Sequence, residues 1–128
     1  VARLMLFDSN AGVADALAGR LRQHYPALAV ATGGCDPSGF DVVVNATPLG
    51  MADDDPLPLE PARLAAGCLV GDVVLRAQHT PLLRAALARG CAVQVGDDML
   101  FEQIPAYLAF FGLEVATVAE LRAAAISA

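Results

Sequence analysis

The feature that most constrains the fold is an apolar run that ends abruptly in polar residues, at positions 41–48 (Asp-Val-Val-Val-Asn-Ala-Thr-Pro). Three consecutive β-branched residues predict a strand buried on both faces, as in a parallel sheet. Pro48 cannot extend a central strand, because it has no backbone N–H. Open α/β sheets bind ligands at the carboxyl ends of their strands. Asn45, Ala46 and Thr47 are therefore predicted to border a ligand site.

An acidic residue, Asp8, closes an earlier apolar run at positions 4–7. A carboxylate at the end of such a strand accepts hydrogen bonds from the adenosine ribose of a dinucleotide. It also repels the extra phosphate of NADP, and no arginine follows until Arg20, so NAD is predicted rather than NADP. A simpler alternative is that Asp8 only caps the following helix. The glycine-rich loop that should precede Asp8 is absent from the sequence.

The rest of the chain alternates between strand and helix patterns. Strands are predicted at 3–7, 28–31, 42–45, 69–75 and 92–95, and helices at 12–25, 61–67, 82–89, 97–111 and 117–126. In the first helix the apolar residues recur at helical spacing, namely Val13, Leu17, Leu21 and Tyr25. Thr80 and Pro81 are expected to begin the helix at 82–89 as cap and first residue. This order predicts an α/β fold with a Rossmann-like, doubly wound parallel sheet.

The predicted sheet lacks one strand. In a dinucleotide-binding sheet the strand order is 3-2-1-4-5-6, which makes the first strand central. If positions 3–7 form the second strand, the first βα unit is missing. We therefore expect residues 1–128 to be a partial NAD(P)-binding Rossmann domain of a longer two-domain enzyme. Direct pairing of the two flanking strands, or a homodimer in which a second copy fills the gap, are the alternatives.

Composition excludes several classes of function. A net charge of −6 argues against a nucleic-acid partner, because phosphate backbones attract clustered Lys and Arg. No apolar stretch approaches the roughly 18 residues that span a bilayer, so no membrane partner is expected. Three widely spaced cysteines without a CxxC pair indicate reduced thiols and a cytoplasmic protein. No metal site is expected, because the histidines are isolated and the acidic loop at 53–55 offers no converging ligands.

Four blocks of sequence together resemble one known family. They are Phe40–Met51 with Asp55–Leu59, Gly71–Val74 with Thr80–Leu83, Ala88–Cys91, and Met99-Leu100 followed by Gln103. In order and spacing they are similar to the cofactor domain of the shikimate dehydrogenase family, which includes quinate dehydrogenases. The resemblance extends from about Leu6 to Leu113.

The resemblance implies an NAD(P)-dependent oxidation of a hydroxyl on a cyclic hydroxy-carboxylate, of the kind used in aromatic amino acid biosynthesis. In this family the catalytic Lys-Asp pair and most carboxylate-binding residues lie in an N-terminal substrate domain. The phosphate-binding loop lies just before the position of Asp8. No catalytic residue is therefore expected within residues 1–128. A non-catalytic dinucleotide-binding or assembly module on the same fold, or an inert truncated product, are the alternatives.

The resemblance also assigns site residues at the start of the helix at 97–111. The backbone carbonyl of Asp98 is expected to receive the nicotinamide carboxamide, and Met99 to pack on the nicotinamide ring. Gln103, one turn later, is expected to contact substrate hydroxyls. The alternatives are helix-dipole compensation for Asp98, core packing for Met99 and plain exposure for Gln103.

Two positions depart from the family pattern. Leu75 stands where many members have a Tyr that borders the nicotinamide and substrate, so the substrate need be neither shikimate nor quinate. Arg76 could add an anion contact, although a solvated side chain is the simpler interpretation. Asp98 stands where many members have Gly, and Asp tolerates unusual backbone angles better than most residues.

Overall fold

A computed structural model describes residues 1–52, 54–75 and 79–126 of the chain. It divides into two compact units, Val1–Asp36 and Pro37–Ala128. Each unit is an α/β arrangement with parallel strands, which confirms the predicted fold class. Asp53 in the acidic loop and Arg76 lie outside the described residues.

The first unit consists of β1 (Arg3–Leu6), α1 (Ala11–His24) and β2 (Ala29–Thr32). The two strands pair in parallel, with Arg3 opposite Ala29 and Leu6 opposite Thr32. Helix α1 ends just before Pro26, whose ring cannot continue the ladder of backbone hydrogen bonds. Arg22 then ties the helix to the sheet, because its Nε and Nη2 atoms donate to the carbonyl oxygen of Val30 at 3.0 and 2.9 Å.

The predicted apolar stripe of α1 is not the face that this helix buries. Val13 is 52% exposed, and Leu17 and Tyr25 are exposed as well. The buried residues are Ala14 and Ala18, which are four positions apart and therefore lie on one face. Such small side chains let the helix backbone approach strand β2 closely, whereas the larger residues stay exposed.

The second unit contains a three-stranded parallel sheet in the order β3 (Val42–Asn45), β4 (Leu69–Asp72) and β5 (Ala92–Gln94). The register places Asn45 opposite Asp72 and Gly71 opposite Gln94. Helices α2 (Pro81–Ala88), α3 (Gly96–Phe110) and α4 (Val118–Ile126) and a short 3-10 turn (Pro61–Arg63) complete the unit. Its core is a cluster of buried apolar side chains, namely Leu64, Cys68, Val70, Leu82, Leu83, Ala86 and Cys91.

The ends of these elements follow the local sequence. Thr80 caps α2 and Pro81 opens it, as predicted, and Gly90 ends the turn after it with a φ of 77°. Strand β4 is shorter than the predicted 69–75. The Asp72 side chain accepts the backbone N–H of Val74 at 3.1 Å, so this N–H does not bond to a neighbouring strand. None of the helices in the described part of the chain is long and apolar enough to cross a membrane.

Candidate functional site

Two polar side chains close the neighbouring strands β3 and β4. Asn45 is 3% exposed and Asp72 is 0% exposed, so both need hydrogen-bond partners inside the protein. The Nδ2 atom of Asn45 donates to Asp72 Oδ1 at 3.1 Å and to the carbonyl oxygen of Leu49 at 3.0 Å. This pair joins the carboxyl ends of both strands.

Thr80 connects the same pair to α2. Its hydroxyl donates to Asp72 Oδ2 at 2.7 Å and accepts the backbone N–H of Leu83 at 3.3 Å, as a helix cap does. Asp72 therefore accepts hydrogen bonds from a side-chain amide, a hydroxyl and a backbone N–H. Asp72 thus has a buried structural role, with both carboxylate oxygens hydrogen-bonded inside the protein.

The turn after β3 is held by its own side chains. Asn45 Oδ1 accepts from the backbone N–H of Thr47 at 3.1 Å and from its hydroxyl at 2.7 Å. The Thr47 hydroxyl oxygen in turn accepts the N–H of Leu49 at 3.1 Å. Ala46 between them is exposed. The polar side-chain atoms are thus used within the turn, and a ligand here would meet backbone atoms and the Ala46 methyl group.

Asp8 lies two residues beyond β1 and is exposed. Its Oδ1 atom accepts the backbone N–H of Asn10 at 2.8 Å. The cap of α1 is Asn10, whose side chain accepts from Gly12 N at 3.1 Å. The alternative that Asp8 merely caps the helix is therefore wrong. Within the described residues Asp8 Oδ2 has no protein partner, so it is available to a ligand.

A cavity of about 280 Å³ lies at the start of α3. The sequence predicted three of its lining residues, and the structure adds one glutamine from the end of β5 and one glutamate; the five are Gln94, Asp98, Met99, Glu102 and Gln103. The four helical members fall into two pairs four residues apart, which places each pair on one helix face. Neither Gln94 nor Glu102 was expected at the site from the sequence.

Asp98 is fixed by partners from two other elements. Arg122 of α4 pairs with Asp98 Oδ1 at 2.5 Å, and Gln94 Nε2 donates to Oδ2 at 3.3 Å. The guanidinium of Arg122 also lies 4.7 Å from the centre of the Phe101 ring, a cation–π contact. Val95 is the N-cap of α3, and no side chain caps this end of the helix. Asp98 therefore forms an ion pair with Arg122. It also lies in the first turn of α3, where the positive end of the helix dipole stabilises a negative charge.

The amide of Gln103 is oriented by its own helix. Its Oε1 atom accepts the hydroxyl of Tyr107 at 2.7 Å, four residues along. With the carbonyl oxygen engaged, the Nε2 atom is the group left to donate to a ligand in the cavity. Tyr107 was not expected at the site from the sequence, although its spacing of four residues after a candidate Gln is a usable signal. Arg122 was not expected either, since it is 24 positions from Asp98 and gave no local signal.

Leu75 is 58% exposed and does not line this cavity. Its side chain is apolar, so a ligand there would find packing surface and no hydrogen bond. Among the described residues, no group of three metal-liganding side chains comes together.

Comparison with known proteins gives consistent matches. The chain is 48% identical over 73 residues to the shikimate dehydrogenase (NADP(+)) of Acidiphilium cryptum, which covers 56% of this chain and 26% of that enzyme. It is 38% identical over 128 residues to the shikimate dehydrogenase (NADP(+)) of Rhodospirillum rubrum, covering 96% of this chain and 45% of that enzyme. No family model matches the sequence.

A solved structure is similar along the whole chain. It is the quinate dehydrogenase from Corynebacterium glutamicum in complex with NAD, with a TM-score of 0.83 and 32% sequence identity. The similarity covers 100% of this chain and 47% of that one. The chain thus spans less than half the length of each relative named here.

Proposed function

We propose that this chain supplies part of the cofactor site of a nicotinamide-dependent oxidoreductase, because it belongs to the shikimate and quinate dehydrogenase family over the segment that it shares with those enzymes. The observation that carries the proposal is the single cavity wall formed by Asp98, Met99 and Gln103. The family resemblance assigns these residues to the nicotinamide and the substrate. They are one and four residues apart along α3, so one rigid helix presents all three.

The described residues suit a dinucleotide. Asp8 offers an exposed carboxylate oxygen of the kind that a ribose hydroxyl needs, and Met99 offers an apolar, polarisable surface for a flat ring. When bound, the cofactor accepts or donates the hydride. The role of this chain is to orient the cofactor and the substrate. Gln103, whose carbonyl oxygen is held by Tyr107, presents its Nε2 donor to a substrate hydroxyl. We assign no proton-transferring group to residues 1–128.

We propose NAD as the preferred cofactor, on the basis of Asp8. The relatives named above include enzymes described with NADP(+) and one in complex with NAD, so their names support either choice. A carboxylate at this position would repel the 2′-phosphate of NADP.

Titrating a protein that contains this chain with NADH and with NADPH tests the choice. We expect NADH to bind about tenfold more tightly, which corresponds to roughly 1.4 kcal/mol. Asp8→Asn should narrow this ratio, whereas Asp54→Asn, which changes an exposed acid elsewhere, should leave it unchanged. Equal or tighter binding of NADPH by the unsubstituted protein would contradict the NAD assignment.

For the substrate we propose a cyclic hydroxy-carboxylate. The test is formation of the reduced nicotinamide by the longer protein that carries this chain, with shikimate, quinate and related ring acids as substrates. Turnover with any of them supports the proposal, and dinucleotide binding without turnover on any cyclic hydroxy acid contradicts it.

The alternative is a module that binds a dinucleotide without catalysis. The exposed Leu75, where many family members place a Tyr, is the observation in its favour. Binding of NAD(H) together with a complete lack of turnover in the longer protein would favour this alternative.

A further inference from the structure

The lining of the cavity at the start of α3 is negatively charged, which is unfavourable for an anionic substrate. Two of its five lining side chains, Asp98 and Glu102, are carboxylates, and none of the five is cationic. Two unscreened carboxylates would repel an anionic ligand, and the repulsion is stronger near a protein surface than in bulk water. A compensating cation at this wall therefore favours binding of a hydroxy-carboxylate.

Arg122 is that cation in the described structure. It reaches from α4 to Asp98 Oδ1 at 2.5 Å, while Gln94 donates to the other oxygen of the same carboxylate at 3.3 Å. Its guanidinium is stacked on Phe101, which limits the side chain to one face of the ring. The side chains of Arg122 and Asp98 remain 38% and 45% exposed, so the pair is accessible to solvent and to a ligand.

We propose that Arg122 is a specificity-determining residue, which neutralises and holds Asp98 so that this cavity accepts an anionic substrate. The proposal rests on the function proposed above. Arg122 and Asp98 form an ion pair, so the carboxylate and the cation that neutralises it act as one unit. Without Arg122 an anionic substrate would face the negative charges of both Asp98 and Glu102.

A stability role alone predicts something different. Ion pairs this exposed contribute little to folding, so loss of the guanidinium should hardly change the melting temperature. A charge-compensating role predicts that the loss weakens binding of an anionic substrate and leaves a neutral analogue of the same shape unaffected. Binding of an anionic substrate and of its neutral analogue therefore distinguishes the charge-compensating role from the stability role.

The experiment uses the longer protein that carries this chain, with quinate or shikimate and the methyl ester of the same acid. For Arg122→Gln we expect KM for the acid to rise about tenfold with kcat within about twofold, and KM for the ester to stay within about twofold. Added salt should reduce the difference, because it screens exposed charges. Calorimetric binding of the acid and the ester in the presence of the oxidised cofactor gives the same comparison without turnover.

Two further variants separate charge from packing. Arg122→Lys keeps the charge and should recover most of the affinity for the acid, and the double variant Asp98→Asn with Arg122→Gln should recover it as well. Arg84→Gln, the same change on α2 outside the cavity, is the matched control. Equal losses for acid and ester, or no recovery in the double variant, would overturn the proposal while leaving the oxidoreductase assignment intact. A protein that neither binds nor turns over acid or ester would overturn both.

Discussion

At the scale of single residues, Asp72 is the group on which the site's framework depends. Its carboxyl group is fully buried and accepts hydrogen bonds from Asn45, Val74 and Thr80. Asp72→Asn would place an amide nitrogen against at least one of these donors. We expect a loss of roughly 1–3 kcal/mol in the free energy of unfolding, because a buried polar group would lose its partner.

Urea denaturation followed by circular dichroism measures this change. Asp54→Asn is the control, since Asp54 is exposed and surface substitutions typically stay within about 0.5 kcal/mol. Equal midpoints for the two variants would show that Asp72 is not held as described.

The three thiols should differ sharply in reactivity. Cys35 is exposed, whereas Cys68 and Cys91 are buried with their sulfur atoms 3.5 Å apart. Burial, aided by the hydrogen bond to Cys91, raises the pKa of Cys68 from 9.0 to about 11. Because the thiolate is the reacting form, a disulfide reagent near neutral pH should label Cys35 rapidly and Cys68 only on unfolding. Rapid labelling of all three thiols in the native protein would contradict this expectation.

The same shift makes stability depend on alkaline pH. The folded pKa of Cys68 lies above the unfolded one, so its contribution is fully present below pH 9.0 and declines as pH rises toward 11. Over that range the unfolded chain releases the proton and the folded chain retains it. Cys68→Ala should therefore flatten the fall in unfolding free energy between these pH values, whereas Cys35→Ala should not.

At the scale of helices, two glycines should respond oppositely to alanine. A Cβ atom on Gly96, at the start of α3, would lie 2.6 Å from the carbonyl oxygen of Val74 and 2.9 Å from that of Val73. These are backbone atoms, which cannot rotate away, so Gly96→Ala should cost about 1–3 kcal/mol. On α1, Gly19 has nothing within 4 Å, and Gly19→Ala should stabilise by about 0.5–1 kcal/mol through helix propensity.

Thermal unfolding of both variants checks the pair. A neutral or stabilising Gly96→Ala would mean that α3 does not pack this closely on the segment after β4. Loss of affinity for a ligand of the cavity should accompany the loss of stability, because Asp98 and Met99 lie only two and three residues further on.

Most helices and strands could be predicted from local signals, and the failures have physical causes. The predicted strand at 42–45 and the cap and first residue of α2 are found as expected. A β-branched run and a Thr-Pro pair favour these structures through the backbone of their own segment, without help from distant residues. The buried face of α1 is not the one that carries its apolar stripe. Val13 and Leu17 stay exposed while Ala14 and Ala18 are buried, because the face that a helix buries depends on the element packed against it, and a sequence pattern contains no such information.

The candidate site was predictable in the same partial way. Asp98, Met99 and Gln103 share one wall because helical spacing places them there. Gln94 enters from β5, and the partner of Asp98 comes from α4, so both depend on how separate elements pack. Residue roles assigned by resemblance, including those of Asp8 and of the turn at 45–47, remain predictions that the ligand-binding experiments test.

At the scale of the whole molecule, the two units should differ in their resistance to local opening. The buried apolar residues of the first unit are Ala14, Ala18 and Val30, all small, and its sheet has two strands. The second unit has a larger cluster with several leucines and a third strand. Small sheets with little buried apolar area open at lower free energy. Amide hydrogens of β1 and β2 should therefore exchange faster than those of β4.

Hydrogen exchange followed by mass spectrometry measures this difference peptide by peptide. Saturating NADH should slow exchange at the start of α3, where the residues that line the cavity lie. Equal protection of β1 and β4 without ligand would show that the first unit is more stable than its buried area indicates.

The hydrogen bonds that Asn45 and Thr47 form within the turn after β3 limit which substitutions evolution can accept at these positions. Their polar atoms are committed to the fold, so mutations there would be removed for loss of stability before any new selectivity appeared. Glu102 and Gln103 on α3 are exposed, so substitutions there should cost little stability. New specificities should therefore arise at Glu102 and Gln103, and a directed-evolution library confined to them should contain many more folded variants than one built on the turn after β3.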